Sequence, residues 1–331
     1  MSIIERYNKY LPAQYSNFPQ GRYVSLLLVR KVESEAIFRT EGSGEPLNRE
    51  FVFAGRASRD QQNGIIPRIV ISKRKQTAVE RRTGRELLRR YNLLLKVKDK
   101  DQTKDQVCSL NTNNPCEHCI DCILYGYAAG GGGAQRSRVI TDDAFSLHSA
   151  DVITGMRQFN ALFDNSTMRN PETGKASTSI GTDEYVRPES LFLDIETLKD
   201  VTPDELRYAL GNILRSARYG AISSRIGKVE NILAGVIFSD CELFSNLELT
   251  QTTYDILNDG NPPAFPLHPD VVVHAVQTAA DGLRRGIPGQ IVALTPEEIA
   301  ELRGEIVALY TEEQGLEALL RRMTESYGPR A

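Results

Sequence analysis

The sequence predicts an α+β domain built on an antiparallel sheet and carrying large insertions. Apolar runs of strand length recur at wide, uneven intervals, without the regular strand–helix alternation of a doubly wound parallel sheet. A turn-rich segment over 158–188, with Asn170-Pro171 and Gly174, reads as a long hairpin or loop set between two of those runs. Four cysteines between 108 and 122 follow a polar, loop-like stretch and mark a second insertion.

Taken in order, residues 21–40 begin with a continuous apolar run and end in alternation. They read as one long strand, or two short ones, buried at the start. Gly42, Gly44 and Pro46 punctuate a loop, and Phe51–Phe53 is a further short strand. Arg68–Ser72 is a strand running into Lys73-Arg74-Lys75. Thr83-Gly-Arg-Glu86 fits a capping box and predicts a helix from about Arg85 to Leu95, with Leu87, Tyr91 and Leu94 on one face and Arg85 and Arg89 on another. A start near Val79 would add Arg81 and Arg82 to the basic stripe, but Gly84 disfavours the longer helix. The glycine run inside Ala128–Ala134 is a flexible connector and lacks the Lys-Ser/Thr ending of a phosphate-binding loop. Arg138–Phe145 and Ser190–Ile195 are strands. Thr202 caps a helix with Pro203 at its first position, ending near Ser216. A basic, glycine-bearing loop over 218–228 follows, then strand material from Val229 to Leu249. Residues 295–325, opening with Thr295-Pro296, form one or two amphipathic, net acidic helices.

At 40% apolar and 25% charged residues the chain reads as globular. No apolar run approaches the roughly 20 residues that cross a bilayer, and the N-terminal segment lacks the apolar core of a signal peptide. A cytoplasmic protein with no membrane partner is expected. The formal charge of −3 hides an asymmetry: residues 56–104 hold fifteen Lys or Arg against five Asp or Glu, a balance of +10, which leaves −13 for the rest. Such a block is a footprint for polyanions, unless it is a charged surface helix paired with acidic neighbours.

Cys108-x7-Cys116-x2-Cys119-x2-Cys122 carries the most specific chemistry. Four thiolates at this spacing can close a tetrahedral zinc site with no open position, which makes the metal structural. The two x2 spacings also resemble iron–sulfur ligation. His118 sits between two ligands, in poor geometry to replace Cys108. Cys241 reads as a strand residue, and Asp142-Asp143, with His148 beyond it, as a strand end rather than a cation site. No nucleophile–base set or metalloprotease motif is present, so no catalytic residue is assigned and a non-enzyme is expected.

Four stretches together carry a family resemblance: Gly84-Arg-Glu-Leu-Leu-Arg-Arg90, the cysteine run from Cys116 to Cys122 followed by Tyr125-Gly126, Ser137–Phe145 with its Asp-Ala-Phe ending, and Arg215-Ser-Ala-Arg-Tyr-Gly220. The chain resembles the Cas-seven-type backbone subunits of type I-D CRISPR effector (Cascade) complexes, the Csc-two family. The resemblance implies an RRM-like (ferredoxin-like) antiparallel core over 1–55 and 139–294. It implies a hairpin "thumb" near 158–188, a basic and zinc-binding insertion over 56–138, and a C-terminal helical segment over 295–331. It also implies copies stacked head to tail along a CRISPR guide RNA in antiviral defence. The implied partners are guide RNA, target nucleic acid, other copies and other subunits of the complex.

Candidate RNA contacts in the basic block are Arg56, Arg59, Lys73, Arg74, Lys75, Arg81, Arg82, Arg85 and Arg89. The resemblance adds Arg169 and Lys175 at the hairpin turn, and Arg218, Arg225 and Lys228 in the glycine-bearing loop. The aromatic-rich signature of a stand-alone RNA-recognition motif is absent, so backbone contacts from Arg and Lys are expected to outweigh base readout. The alternative is a metal-dependent, RNA-cleaving backbone subunit of type III-like character, for which Asp60 is the best candidate.

Overall fold

The computed structural model describes residues 1–38, 46–57, 64–98, 104–112, 114–129, 133–220 and 227–327. In chain order the elements are α1 (Ile3–Arg6), β1 (Tyr23–Val32), β2 (Arg49–Phe53), β3 (Ile65–Ile71), α2 (Lys73–Arg90), β4 (Lys96–Lys98), β5 (Asp105–Val107), α3 (Ile120–Tyr125), β6 (Tyr127–Ala129), β7 (Gly133–Gln135), β8 (Val139–Thr141), β9 (Ala144–Ser146), α4 (Ala150–Ile153), β10 (Thr154–Asn160), β11 (Ile180–Val186), β12 (Leu191–Lys199), α5 (Pro203–Arg215), β13 (Val229–Ser239), α6 (Asn246–Leu257), α7 (Pro269–Arg284), β14 (Ile291–Ala293), α8 (Pro296–Thr311) and α9 (Glu313–Ser326). One eight-stranded sheet runs β14-β13-β1-β12-β9-β3-β2, with β8 also paired to β12. Every pairing in it is antiparallel, as the sequence predicts.

The sheet is buried on both faces. Leu26 and Leu28 of β1 pack with α2, α5, α8 and α9, while Leu27 and Val29 pack with α6 and α7. Double burial explains why β1 reads as a continuous apolar run rather than an alternating one. Each such side chain contributes about 1.5–3 kcal/mol on leaving water.

Four expectations need correction. The helix expected from Arg85 to Leu95 is α2, which starts at Lys73 and ends at Arg90. Thr83 is inside it and bonds the Val79 carbonyl instead of capping. The strand material read from Val229 to Leu249 stops at Ser239, because Ser245 and Glu248 form a reciprocal capping box that starts α6. Cys241 therefore lies beyond the strand and is only partly buried. The main sheet also reaches into the stretch read as an insertion, since β3 pairs with β2 and β9. Helix α7 has no counterpart among the expected elements. Among the described residues no helix is long and apolar enough to cross a membrane.

The hairpin forms where the turn signals placed it. Strands β10 and β11 pair from Thr154↔Val186 to Asn160↔Ile180, which leaves 161–179 as the outer segment. That segment is held by its own hydrogen bonds, such as Asn170 Oδ1 accepting from the Glu172 and Thr173 amides.

Candidate metal centre and nucleic-acid interface

Between β5 and β6 the chain folds back and brings Cys108, Cys116, Cys119 and Cys122 together. All four are buried, and their sulfurs lie within 4.8 Å of one another. Cys108 and Cys122 Sγ are 3.7 Å apart, and Cys116 and Cys122 Sγ are 3.8 Å apart. The Cys116 amide donates to Cys108 Sγ (3.4 Å) and the Cys119 amide to Cys116 Sγ (3.3 Å). Glu117, at φ 68°, makes the turn between the second and third cysteines, and Cys119 is the N-cap of α3. His118 does not join the convergent ligands.

Thiols packed this closely do not ionise independently. Hydrogen bonds from Cys116, Cys119 and Cys122 pull Cys108 well down, while Cys119 and Cys122 are pushed well up, chiefly by Cys108. A cation among the four sulfurs removes that conflict, so the set can hold a metal ion.

Two of the arginines expected on RNA, Arg81 and Arg85, lie against this centre. Arg81 donates to both carboxylate oxygens of Asp121 (2.7 and 2.9 Å) and to the Gly126 carbonyl (2.9 Å). Arg85 pairs with the same carboxylate and donates to the Cys108 carbonyl. Asp121 is 0% exposed and Arg85 3%. Burial alone would lower both guanidiniums, but the hydrogen bonds and charge of Asp121 outweigh it and both are raised.

The helix thus splits the basic stripe. Arg82 and Arg89, with Lys73 and Arg74 in the first turn, are exposed, whereas Lys75 is buried. Arg56 pairs with Glu248 of α6 at 3.1 Å. Arg169 and Lys175 are exposed near the hairpin tip, with Arg169 bonded to the Gly174 carbonyl. Arg218 and Lys228 are exposed at the two ends of their loop. Glu35, Arg157 and Tyr185 at the hairpin root and Arg218 and Gly227 line a cavity of about 440 Å³. Arg59, Arg225 and the alternative catalytic candidate Asp60 lie outside the described residues. Asp143 has a structural partner, because its carboxylate accepts the Lys73 amide at the start of α2 (2.8 Å).

Sequence reading missed a buried charge cluster shared by β1, β12 and α2. Arg30 of β1 donates to Asp194 (2.6 and 2.9 Å) and Glu196 (2.6 Å) of β12 and to Glu80 (3.1 Å) of α2. It also donates to Tyr219 Oη (2.8 Å), and that hydroxyl donates to Glu80 (3.0 Å). The available signal was an arginine ending the apolar run Leu26–Val29, matched by acids at alternate positions of another apolar strand.

The Csc2 Crispr family model matches residues 10–320. No curated protein matches the chain. The fold is similar to the crystal structure of Thermofilum pendens Csc2, with 16% identity, all of each chain covered and a TM-score of 0.59. Two CRISPR RNA-guided surveillance complexes contain chains 12% identical to this one. The first covers 91% of this chain and 98% of its own at a TM-score of 0.46, and the second, a pre-nicking form, 86% and 99% at 0.49.

Proposed function

Since the chain belongs to the Csc2 CRISPR family, we propose that it is a guide-RNA-binding backbone subunit of a type I-D CRISPR effector complex, and that it holds RNA without cleaving it. The family match over almost the whole chain is the observation that carries the reading. The fold supports it. The chain path β1-α2-β9-β12-α5-β13, with spatial order β13-β1-β12-β9 and antiparallel neighbours, supports reading the core as RRM-like. Here α6 and α7 cover one sheet face and α2, α5, α8 and α9 the other, so neither face is open for stacking bases. RNA is held through phosphates, by the exposed cations of α2, the hairpin and the 218–228 loop. Such binding accepts any guide sequence and leaves readout to base pairing. In a filter-binding series, single-stranded RNAs of unrelated sequence should bind alike, with affinity falling steeply with salt. Strong sequence preference, or binding indifferent to salt, would count against it. RNA should also remain intact with divalent metal present, for wild type and Asp60→Ala alike.

We further propose zinc as the metal. A tetrahedron with Zn–S bonds of about 2.3 Å has sulfur–sulfur edges of about 3.8 Å; Cys122 Sγ lies 3.7 and 3.8 Å from Cys108 and Cys116 Sγ, and all four sulfurs lie within 4.8 Å of one another. When bound, the ion supplies a cross-link that folds the 108–122 segment, not a reactive centre. Elemental analysis should find close to one zinc per chain, and stoichiometric iron with visible absorbance would replace zinc by a cluster.

A further inference from the structure

We propose that Arg81, Arg85 and Asp121 form a charge-balancing clamp for the cysteine centre, so that these two arginines serve the metal site and not the RNA. The inference rests on the reading of the four cysteines as a metal site. Four thiolates around a divalent ion leave a net dianion, and a buried dianion is costly unless cations stand close by. Here the centre is buried and Asp121, one residue before Cys122, adds a further negative charge at 0% exposure. Arg81 and Arg85, one helical turn apart on α2, converge on Asp121 from the same side. Arg85 also holds a ligand residue directly, through the Cys108 carbonyl. Arg81 holds the Gly126 carbonyl, where the chain leaves α3 at φ 77°. The clamp therefore grips the cysteine segment near its start and at its exit, and ties both points to a helix of the main body. Groups outside the ligand set that fix ligand orientation are worth about 10–100-fold in metal affinity.

The test uses the full chain, zinc in competition with a chromophoric chelator, and single-stranded RNA of mixed sequence. The double variant Arg81→Gln with Arg85→Gln should raise the zinc dissociation constant at least about tenfold. Arg85→Lys, which keeps the charge and loses the fork, should recover most of the loss seen in Arg85→Gln; a strut of purely steric value would not be rescued. Zinc-saturated double variant should bind RNA with wild-type affinity and salt dependence. Arg82→Gln with Arg89→Gln should do the reverse, weakening RNA binding and leaving zinc affinity unchanged. Where the double variant fails to fold, Arg81→Gln alone, at the less buried of the two positions, carries the same expectation at several-fold. Zinc affinity within twofold of wild type would overturn the clamp, as would a zinc-saturated variant whose RNA salt slope drops by about 0.7 per lost contact. A wild-type chain that binds no metal would remove the metal reading itself, which is a separate result.

Discussion

Arg30 is enclosed by three carboxylates, and neither it nor Glu80, Asp194 or Glu196 is more than 1% exposed at the side chain. One guanidinium cannot balance three buried anions. Burial raises Glu196 well above its ordinary value of 4.5, and the Glu80 charge raises it further; Glu80 is raised too, mainly by burial. Oε2 of each glutamate lacks another hydrogen-bond partner, which fits a proton shared between them. The groups around that proton are Arg30 from β1, Asp194 from β12, Tyr219 after α5, and Tyr125 of α3, which feels both glutamates. A carboxyl raised on folding stabilises the protein at pH below its unfolded value, and that stability is lost as pH rises through the folded value. Glu196→Gln keeps a donor without a titrating proton. Its melting temperature should therefore fall less than that of wild type as pH rises above the ordinary carboxyl value of 4.5, and should match or exceed it once Glu196 of the wild type is ionised. Parallel pH profiles would show that Glu196 is ionised in the fold. Arg30→Met, which strands three acids, should cost at least about 3 kcal/mol in urea unfolding.

Among the elements, α5 and α2 show what was legible in the sequence and what was not. The start of α5 is specified within four residues, because Thr202 caps the Glu205 amide and Glu205 caps Thr202 in return. Reading it needs no knowledge of the fold. The four cysteines are legible for the same reason, since their spacing is local. The extent of α2 is settled far along the chain. Gly84 looks like a helix breaker, yet it sits in the helix interior facing the buried Tyr208 and Asn212 of α5, where any side chain would collide with both. Arg81 and Arg85 share this problem, because Asp121 lies beyond a long loop and nothing near them names it as their partner. On a solvated helix Gly84→Ala would stabilise by up to about 1 kcal/mol. Here the added methyl must push α2 from α5, and we expect a loss of about 1–3 kcal/mol from overpacking. A gain in urea midpoint would mean that the two helices are not in contact at this point.

For the whole molecule, removal of the hairpin should separate fold from assembly. The hairpin joins the body at its root, through the Ala36↔Val186 bridge and the Arg157–Glu35 ion pair. Along its length it exposes Met156, Leu162 and Ile180, which is unusual for apolar side chains on a hairpin with no cover of its own. A subunit that grips successive segments of one guide must contact its neighbours head to tail, and such a contact does not close on itself. The RNA then sets the length of the array. Isolated protein should be monomeric or polydisperse, and long single-stranded RNA should order it into filaments visible by electron microscopy. Since the outer segment is held by its own hydrogen bonds and adds nothing to the sheet cores, deleting 165–179 should leave melting temperature and metal content unchanged. The same deletion should abolish the regular spacing of copies, read as loss of a periodic nuclease-protection pattern on bound RNA. A periodic pattern that survives the deletion would take the hairpin out of the assembly, and a compact two-fold dimer indifferent to RNA would defeat the backbone reading as a whole.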